Sequence, residues 1–256
     1  MTAIIHILSF LVIALTAGYL LKVTLSDMLP FVWCGIILVL YVLAFVRALK
    51  LIDIVMPLAA LALAVYVLWS EKNKNKNKAD NDTAYTGLRL AIAGPLEYAG
   101  INILSAGFII YLVFCIMLPL TQSGRIVTWW DDINYWASDL KSLYYLGGFA
   151  DKYTNVSSQF GDYPPGLQLA KWYIVHMDRH MFREDLAFTG YFLFNLSFLM
   201  PCFKRIKGRN LIALPLVWLA AWAFAGIGDI YGYSGSCADL TMAFLFGSVL
   251  ICAVDD

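Results

Sequence analysis

Long apolar runs are the feature that most constrains how this chain can fold. Seven of them cover roughly residues 3–21, 31–49, 52–69, 101–120, 186–203, 211–227 and 240–254. About 20 apolar residues in a helix cross the hydrocarbon core of a bilayer, and a helix satisfies its own backbone hydrogen bonds in lipid. The sequence therefore predicts an all-α, polytopic membrane protein with about seven transmembrane helices.

The composition agrees with this prediction and excludes several classes of protein. Hydrophobic residues make up 61% of the chain, charged residues only 14%, and the mean hydropathy is +0.71. These values argue against a soluble protein. The formal net charge is +0, so no basic excess indicates nucleic-acid binding. The cysteines lack the spacing of a metal site and are interpreted as small core residues: Cys34, Cys115, Cys202, Cys237 and Cys252.

Clusters of basic residues predict the orientation of the chain. A lysine and asparagine tract at 72–78 and a second basic cluster at 204–209 are predicted to be cytoplasmic, because positive charge is retained on that side. The polar loop at 122–185 and the N-terminus are then extracytoplasmic, although Arg47 and Lys50 would lie outside against the same rule. Three segments follow: a three-span segment at 1–70, a cytoplasmic linker at 71–98 and a membrane module at 99–256.

A pair of carboxylates opens the long polar loop. Asp131 and Asp132 follow a membrane-length apolar run and stand among Trp129, Trp130 and Trp136. The tryptophans alone are typical of the aromatic belt at a membrane interface. The belt does not explain the acids, since a carboxylate there is costly unless it faces water, a cation or a partner. We therefore interpret the acidic pair as the centre of a functional site.

Two short amphipathic segments follow the acidic pair. Apolar side chains recur at helical spacing in 136–145 and again in 166–177. Gly147 ends the first segment, and Pro164 with Pro165 precedes the second. Because both are too short to cross a bilayer, the sequence predicts two interfacial helices lying on the membrane surface.

This order of elements resembles the first extracytoplasmic loop of the C-type glycosyltransferase superfamily, which includes protein O-mannosyltransferases and the aminoarabinose transferases of lipid A. There a span leads to an acidic pair, an interfacial helix, a Pro-Pro element and a second interfacial helix. The matching residues here are Asp131 with Asp132 and Pro164 with Pro165, and the likeness covers roughly residues 100–250. It implies an enzyme that moves a sugar from a polyprenyl-phosphate donor to a glycan, lipid or protein acceptor at the outer face of the cell membrane.

The resemblance also implies roles for individual residues. Sugar transfer needs a base for the acceptor and cations for the departing phosphate. Asp131 is the candidate base or a carboxylate that supports a metal, and Asp132 is the second catalytic candidate, which either positions the acceptor or shares the role of Asp131. Candidate substrate-binding residues are Tyr135, Asp162, Tyr163, Lys171, Asp229 and Asp239, and the outer-side cations are Arg125, Lys141, Lys152 and Lys171. Asp239 has a structural alternative as a helix cap.

Cofactors and partners are less constrained by the sequence. No residue is assigned as a metal ligand, and a divalent metal ion stays an open cofactor. His6 is interpreted as a structural or interfacial residue. The predicted partners are the lipid-linked sugar, its acceptor and membrane lipids, with no nucleic acid.

Two departures from the superfamily bear on the expected function. Its members are longer, so we expect this chain to be a fragment, a truncated product or a small relative. The aminoarabinose-type pattern has a phosphate-contacting lysine before its Pro-Pro element, where this chain has Tyr163. The alternative is a non-catalytic membrane protein that binds or transports lipid-linked glycan.

Overall fold

A computed structural model describes residues 2–76, 84–154, 163–205, 235–236 and 238–255, and their regular structure is helical throughout. The prediction of an all-α protein is therefore confirmed for this part of the chain. The longer helices are α1 (Thr2–Leu21), α2 (Leu25–Phe45), α3 (Ile52–Lys76), α4 (Ala84–Ile103), α5 (Ala106–Thr121), α6 (Ala137–Leu146), α7 (Gly166–Val175), α8 (Glu184–Ser197) and α9 (Ala238–Asp255). Short helical turns cover Leu49–Leu51, Asp132–Trp136 and Met200–Arg205.

The first three helices are the clearest candidate membrane spans. Each is long and apolar enough to cross a bilayer, and a bent pair formed by Ala91–Ile103 and Ala106–Thr121 makes a fourth candidate. The pair bends by 68°, so the span predicted at 101–120 is divided between α4 and α5. The described residues thus contain three or four candidate spans, and the predicted run at 211–227 lies outside them.

Two predicted segments have different bounds in the structure. The run at 186–203 forms α8, which has only 14 residues, and then a short helical turn. The predicted linker at 71–98 is largely helical where it is described, because α3 continues to Lys76 and α4 begins at Ala84. A run of polar residues did not end α3, since lysine and glutamate are good helix formers.

Close packing of α1 depends on small residues. Ala14 and Gly18 are buried on the face that meets neighbouring helices, and a side chain on Gly18 would collide with the Tyr98 hydroxyl. Small residues allow helix backbones to approach in this way. The opposite faces of α1 and α3 expose large apolar side chains, including Ile4, Ile7, Leu58 and Leu61. Such faces are suited to contact with lipid tails.

The two predicted interfacial helices have different environments. In α6, Ala137, Leu140 and Leu143 are buried whereas Lys141 and Tyr145 are exposed, as an amphipathic helix requires. Gly147 ends α6 in a left-handed conformation with φ of +69°.

The prediction of a surface helix is wrong for α7. It packs against α2, α6 and α8, and its buried residues lie on every side: Leu167, Gln168, Leu169, Ala170, Lys171, Trp172, Tyr173 and Val175. Its polar side chains point into the protein, so the amphipathic pattern does not mark a solvent-facing side.

The turn between α2 and α3 contacts the segment after α6. The Leu49 amide donates to the Gly147 carbonyl at 3.0 Å, and the Phe149 amide donates to the Ala44 carbonyl at 3.1 Å. Arg47 forms an ion pair of 2.8 Å with Asp151. The start of α3 and the loop that follows α6 therefore lie at the same end of the molecule.

Candidate functional site

The two adjacent carboxylates lie in very different environments. Asp132 is 0% exposed, whereas Asp131 is an exposed residue. Asp132 begins a π-helical turn, Asp132–Trp136, in which the Ala137 amide donates to the Asp132 carbonyl. One extra residue in a helical turn rotates the side chains that follow, and such turns occur often at functional sites.

Asp132 is held by a serine from a distant part of the chain. Its carboxylate accepts hydrogen bonds from the Ser236 amide, at 2.9 Å to Oδ2, and from the Ser236 hydroxyl, at 2.6 Å to Oδ1. Lys171 Nζ donates to the same hydroxyl at 2.6 Å and to the Ser236 carbonyl at 2.9 Å. Ser236 therefore bridges a buried carboxylate and a buried ammonium group.

Aromatic rings and a second carboxylate complete the surroundings of Lys171. Its Nζ lies 5.4 Å from the centre of the Trp136 ring and 5.5 Å from that of Tyr191, within the range of a cation–π contact. Burial raises the pKa of Asp139 above its ordinary value, and the positive charge of Lys171 opposes that shift. A buried charge is tolerated only with such partners.

Two tyrosines and a tryptophan pack beside this cluster. The Tyr135 ring lies 4.6 Å from Trp136 and 4.7 Å from Tyr163, measured between ring centres. The Tyr135 hydroxyl donates to the Tyr163 carbonyl at 3.4 Å. Burial raises the pKa of Tyr135 well above its ordinary value.

An open cleft of about 530 Å³ lies along the outer face of α6. Ile133, two residues after Asp131, contributes to its wall together with Lys141 and Glu184. Lys141 Nζ lies 2.8 Å from Glu184 Oε1, and the Val127 amide donates to Glu184 Oε2 at 2.7 Å. Although burial alone raises the pKa of Glu184, these two hydrogen bonds lower it below its ordinary value.

The predicted site residues are only partly brought together. Asp132, Tyr135, Tyr163 and Lys171 form one contact group with Trp136 and Ser236. Asp131 and Asp239 are exposed, the latter in the first turn of α9. Asp162 and Asp229 lie outside the described residues. Ser236 was missed because nothing in its local sequence distinguishes it from other serines in a glycine-rich stretch.

Sequence reasoning also missed a second polar group, formed by His6, Asp53 and His176. Their ligand-type atoms all lie within 4.8 Å of one another. Burial lowers the pKa of His176 to about 4. The signal that could have found the group is an ionisable residue within a membrane-length run, since His6 and Asp53 both lie in such helices.

Comparisons with known proteins add no relative. No family model, no curated protein and no solved structure matches this chain. The resemblance to the C-type glycosyltransferases therefore rests on the acidic pair, the Pro-Pro element and their order in the sequence.

Proposed function

We propose that this chain is a membrane glycosyltransferase, or the N-terminal part of one, that moves a sugar from a polyprenyl-phosphate donor to an acceptor outside the cytoplasm. The observation that carries the proposal is the unequal environment of the acidic pair. Asp132 is fully buried and bound by Ser236, while Asp131 next to it is exposed. A firmly held neighbour fixes the backbone that presents a reactive carboxylate.

Asp131 is the proposed general base. It would take the proton from an acceptor hydroxyl as that oxygen forms a bond to the anomeric carbon of the sugar. The bond from that carbon to the phosphate oxygen breaks, and the polyprenyl phosphate leaves with the electron pair. Among the described residues, no group of three potential metal ligands includes Asp131 or Asp132.

Lys141 is the proposed partner of the leaving phosphate. It lines the cleft beside the acidic turn and is half-exposed, although Glu184 pairs with it. Lys171 is less suited to that role, because its ammonium group is fully buried on Ser236. Tyr163 is partly exposed and offers a phosphate oxygen a neutral hydrogen bond, without the charge of a lysine.

The roles of the acids differ from the pattern implied by the resemblance. The sequence predicts that Asp132 positions the acceptor or shares the role of Asp131, but its carboxylate already accepts hydrogen bonds from the Ser236 amide and hydroxyl. We therefore assign Asp132 to position Asp131. Tyr135 and Tyr163 form an aromatic wall suited to a sugar ring or a prenyl chain.

The test is the change Asp131→Asn in the full-length natural protein. The amide keeps the volume of the carboxylate and removes its basicity, so transfer should fall by about a hundred- to ten-thousand-fold while folding is preserved. The measurement is transfer of labelled sugar from polyprenyl-phosphate lipids extracted from the native membrane. Asp151→Asn is the matched control, because Asp151 is also exposed and lies in the same extracytoplasmic loop.

Three results would distinguish the alternatives. Unchanged transfer by Asp131→Asn would show that Asp131 is not the base. Binding of the lipid-linked sugar by the unmodified protein without any transfer would favour the non-catalytic function. An equal loss in Asp151→Asn would show that the loop, and not the carboxylate of Asp131, limits activity.

A further inference from the structure

Three ionisable side chains from distant segments converge at one end of the helical bundle. His6 lies in the second turn of α1, Asp53 in the first turn of α3, and His176 directly after α7. His6 Nε2 is 2.8 Å from Asp53 Oδ1, and His176 Nε2 is 3.4 Å from each of these two atoms. Three potential ligand atoms thus form a small triangle.

The triangle has the dimensions of one face of a tetrahedral metal site. Zinc binds imidazole nitrogen and carboxylate oxygen at about 2.0–2.2 Å, which places neighbouring ligand atoms about 3.3–3.6 Å apart in a tetrahedron. Two edges of the triangle, at 3.4 Å, lie within that range. The third is shorter at 2.8 Å, as expected for a direct hydrogen bond between His6 and Asp53.

Each of the three side chains also contacts another polar group, through the atom that is not part of the triangle. His176 Nδ1 lies 3.2 Å from the Trp172 carbonyl, and His6 Nδ1 lies 3.2 Å from the Tyr173 hydroxyl. Asp53 Oδ2 accepts a hydrogen bond of 2.6 Å from Arg179. Outer contacts of this kind orient metal ligands and set the histidine tautomer.

Without a metal ion, Nε2 of His176 faces no hydrogen-bond donor among the described residues. Because a carbonyl can only accept, the contact with Trp172 places the proton of a neutral His176 on Nδ1, and leaves Nε2 as an acceptor. That acceptor faces Asp53 Oδ1, a second acceptor, and His6 Nε2, whose only proton is directed at Asp53. A cation at the centre would bind all three atoms.

The site is enclosed on one side and accessible on the other. His6 is 1% exposed and His176 is 7% exposed, and the His176 ring stacks on Trp172 with 4.4 Å between ring centres. Asp53 retains 23% exposure of its side chain, and Arg179 beside it is exposed. A metal ion and a fourth ligand therefore have an access path from the Asp53 side.

We propose that His6, Asp53 and His176 bind a divalent transition metal of the zinc type through His6 Nε2, Asp53 Oδ1 and His176 Nε2. Water or a substrate atom supplies the fourth ligand, since imidazole and carboxylate ligands with one open position are typical of zinc sites. The metal links α1, α3 and the end of α7, where His176 follows Lys171 by five residues, a rise of roughly 7.5 Å along the helix axis. This inference does not depend on the proposed glycosyl transfer.

The test is metal binding by the metal-stripped, full-length protein in detergent. Co²⁺ should produce the intense visible absorption of a tetrahedral site, with one ion per chain, and Zn²⁺ should displace it. His6→Ala and His176→Ala should each weaken Co²⁺ binding by more than the roughly ten- to hundred-fold that loss of an outer contact to a metal ligand costs. His180→Ala is the matched control: it removes an exposed histidine four residues after His176 and should leave the affinity unchanged.

A second measurement uses the unmodified protein and so does not depend on whether the variants fold. X-ray absorption of the Zn²⁺-loaded unmodified protein should show two imidazole ligands and no sulfur, which excludes adventitious binding to the cysteines. The proposal is overturned if the folded protein binds no Co²⁺, if His176→Ala binds it as tightly as the unmodified protein, or if the absorption spectrum shows sulfur or fewer than two imidazoles.

Discussion

At the scale of single residues, burial gives two adjacent aspartates different proposed roles: Asp132 is buried and Asp131 is exposed. Sequence reasoning ranked Asp131 above Asp132 for catalysis but had no means of showing that Asp132 is enclosed by Ser236 and Lys171. Adjacent side chains in a regular helix point about 100° apart, and the π-helical turn adds a further rotation. Which of the two faces the interior is decided by what packs there.

The buried ionic group yields a stability prediction. Lys171→Met should lower the free energy of unfolding by about 3–5 kcal/mol, because it leaves Asp132 buried without the cation that neutralises it through Ser236. The double change Asp132→Asn with Lys171→Met should recover part of that loss. Thermal or denaturant unfolding in detergent measures both. Lys152→Met, which removes an exposed lysine that lies over the exposed Tyr153 ring, is the control. An unchanged free energy of unfolding in Lys171→Met would show that the ionic group does not stabilise the fold.

At the scale of elements, α7 connects the two polar groups. Lys171 contacts the Asp132 group, and His176 contacts His6 and Asp53, so both groups depend on where α7 lies. Its position is set by close contact with α8. A Cβ atom on Gly190 of α8 would lie 3.1 Å from Lys171 Cα and 3.1 Å from Ile174 Cγ1. The glycine therefore determines the spacing of the two helices.

Gly190→Val should force α7 and α8 apart. Overpacking of a tight contact costs about 1–3 kcal/mol, so the free energy of unfolding should fall by that amount, and Co²⁺ affinity at His176 should fall with it. Unfolding in detergent and the Co²⁺ titration measure the two effects. Gly100→Val is the matched control, because nothing lies within 4 Å of a Cβ atom at that position in α4. Equal effects of the two substitutions would contradict the role assigned to Gly190.

At the scale of the whole molecule, the α2–α3 turn and the segment after α6 lie at one end. This arrangement agrees with the predicted relative order of the spans, in which Arg47 and Lys50 share a side with the Asp131 loop. The contact between Arg47 and Asp151 also removes part of the conflict with the positive-inside rule, since the charge of Arg47 is paired. The side of the membrane on which this end lies stays a prediction.

Cysteine labelling tests that prediction. In a background without the natural cysteines, Tyr153→Cys and Lys50→Cys should react with an impermeant reagent added outside, whereas Lys72→Cys should react only after the membrane is opened. All three residues are exposed in the structure. Labelling of Lys72→Cys from outside would reverse the predicted orientation. Opposite behaviour of Tyr153→Cys and Lys50→Cys would contradict the observed contact between their segments.

Local patterns in the sequence were enough to predict the helical class, the first three membrane-length helices, the amphipathic α6 and its end at Gly147. These features depend on residues that are neighbours along the chain, where apolar spacing and glycine conformation act directly. The bend between α4 and α5 was not predicted, because an apolar run reports hydrophobicity and not the direction of the helix axis.

Only the tertiary structure decided which polar residues are buried together. The polar side of α7 suggested a surface, but Lys171 is buried because Ser236, 65 residues away, binds its ammonium group. His6 and Asp53 are separated by 47 residues, and His6 and His176 by 170, so no spacing rule connects them. A buried polar group is stable where its partners are present, and those partners are supplied by the packing of distant helices.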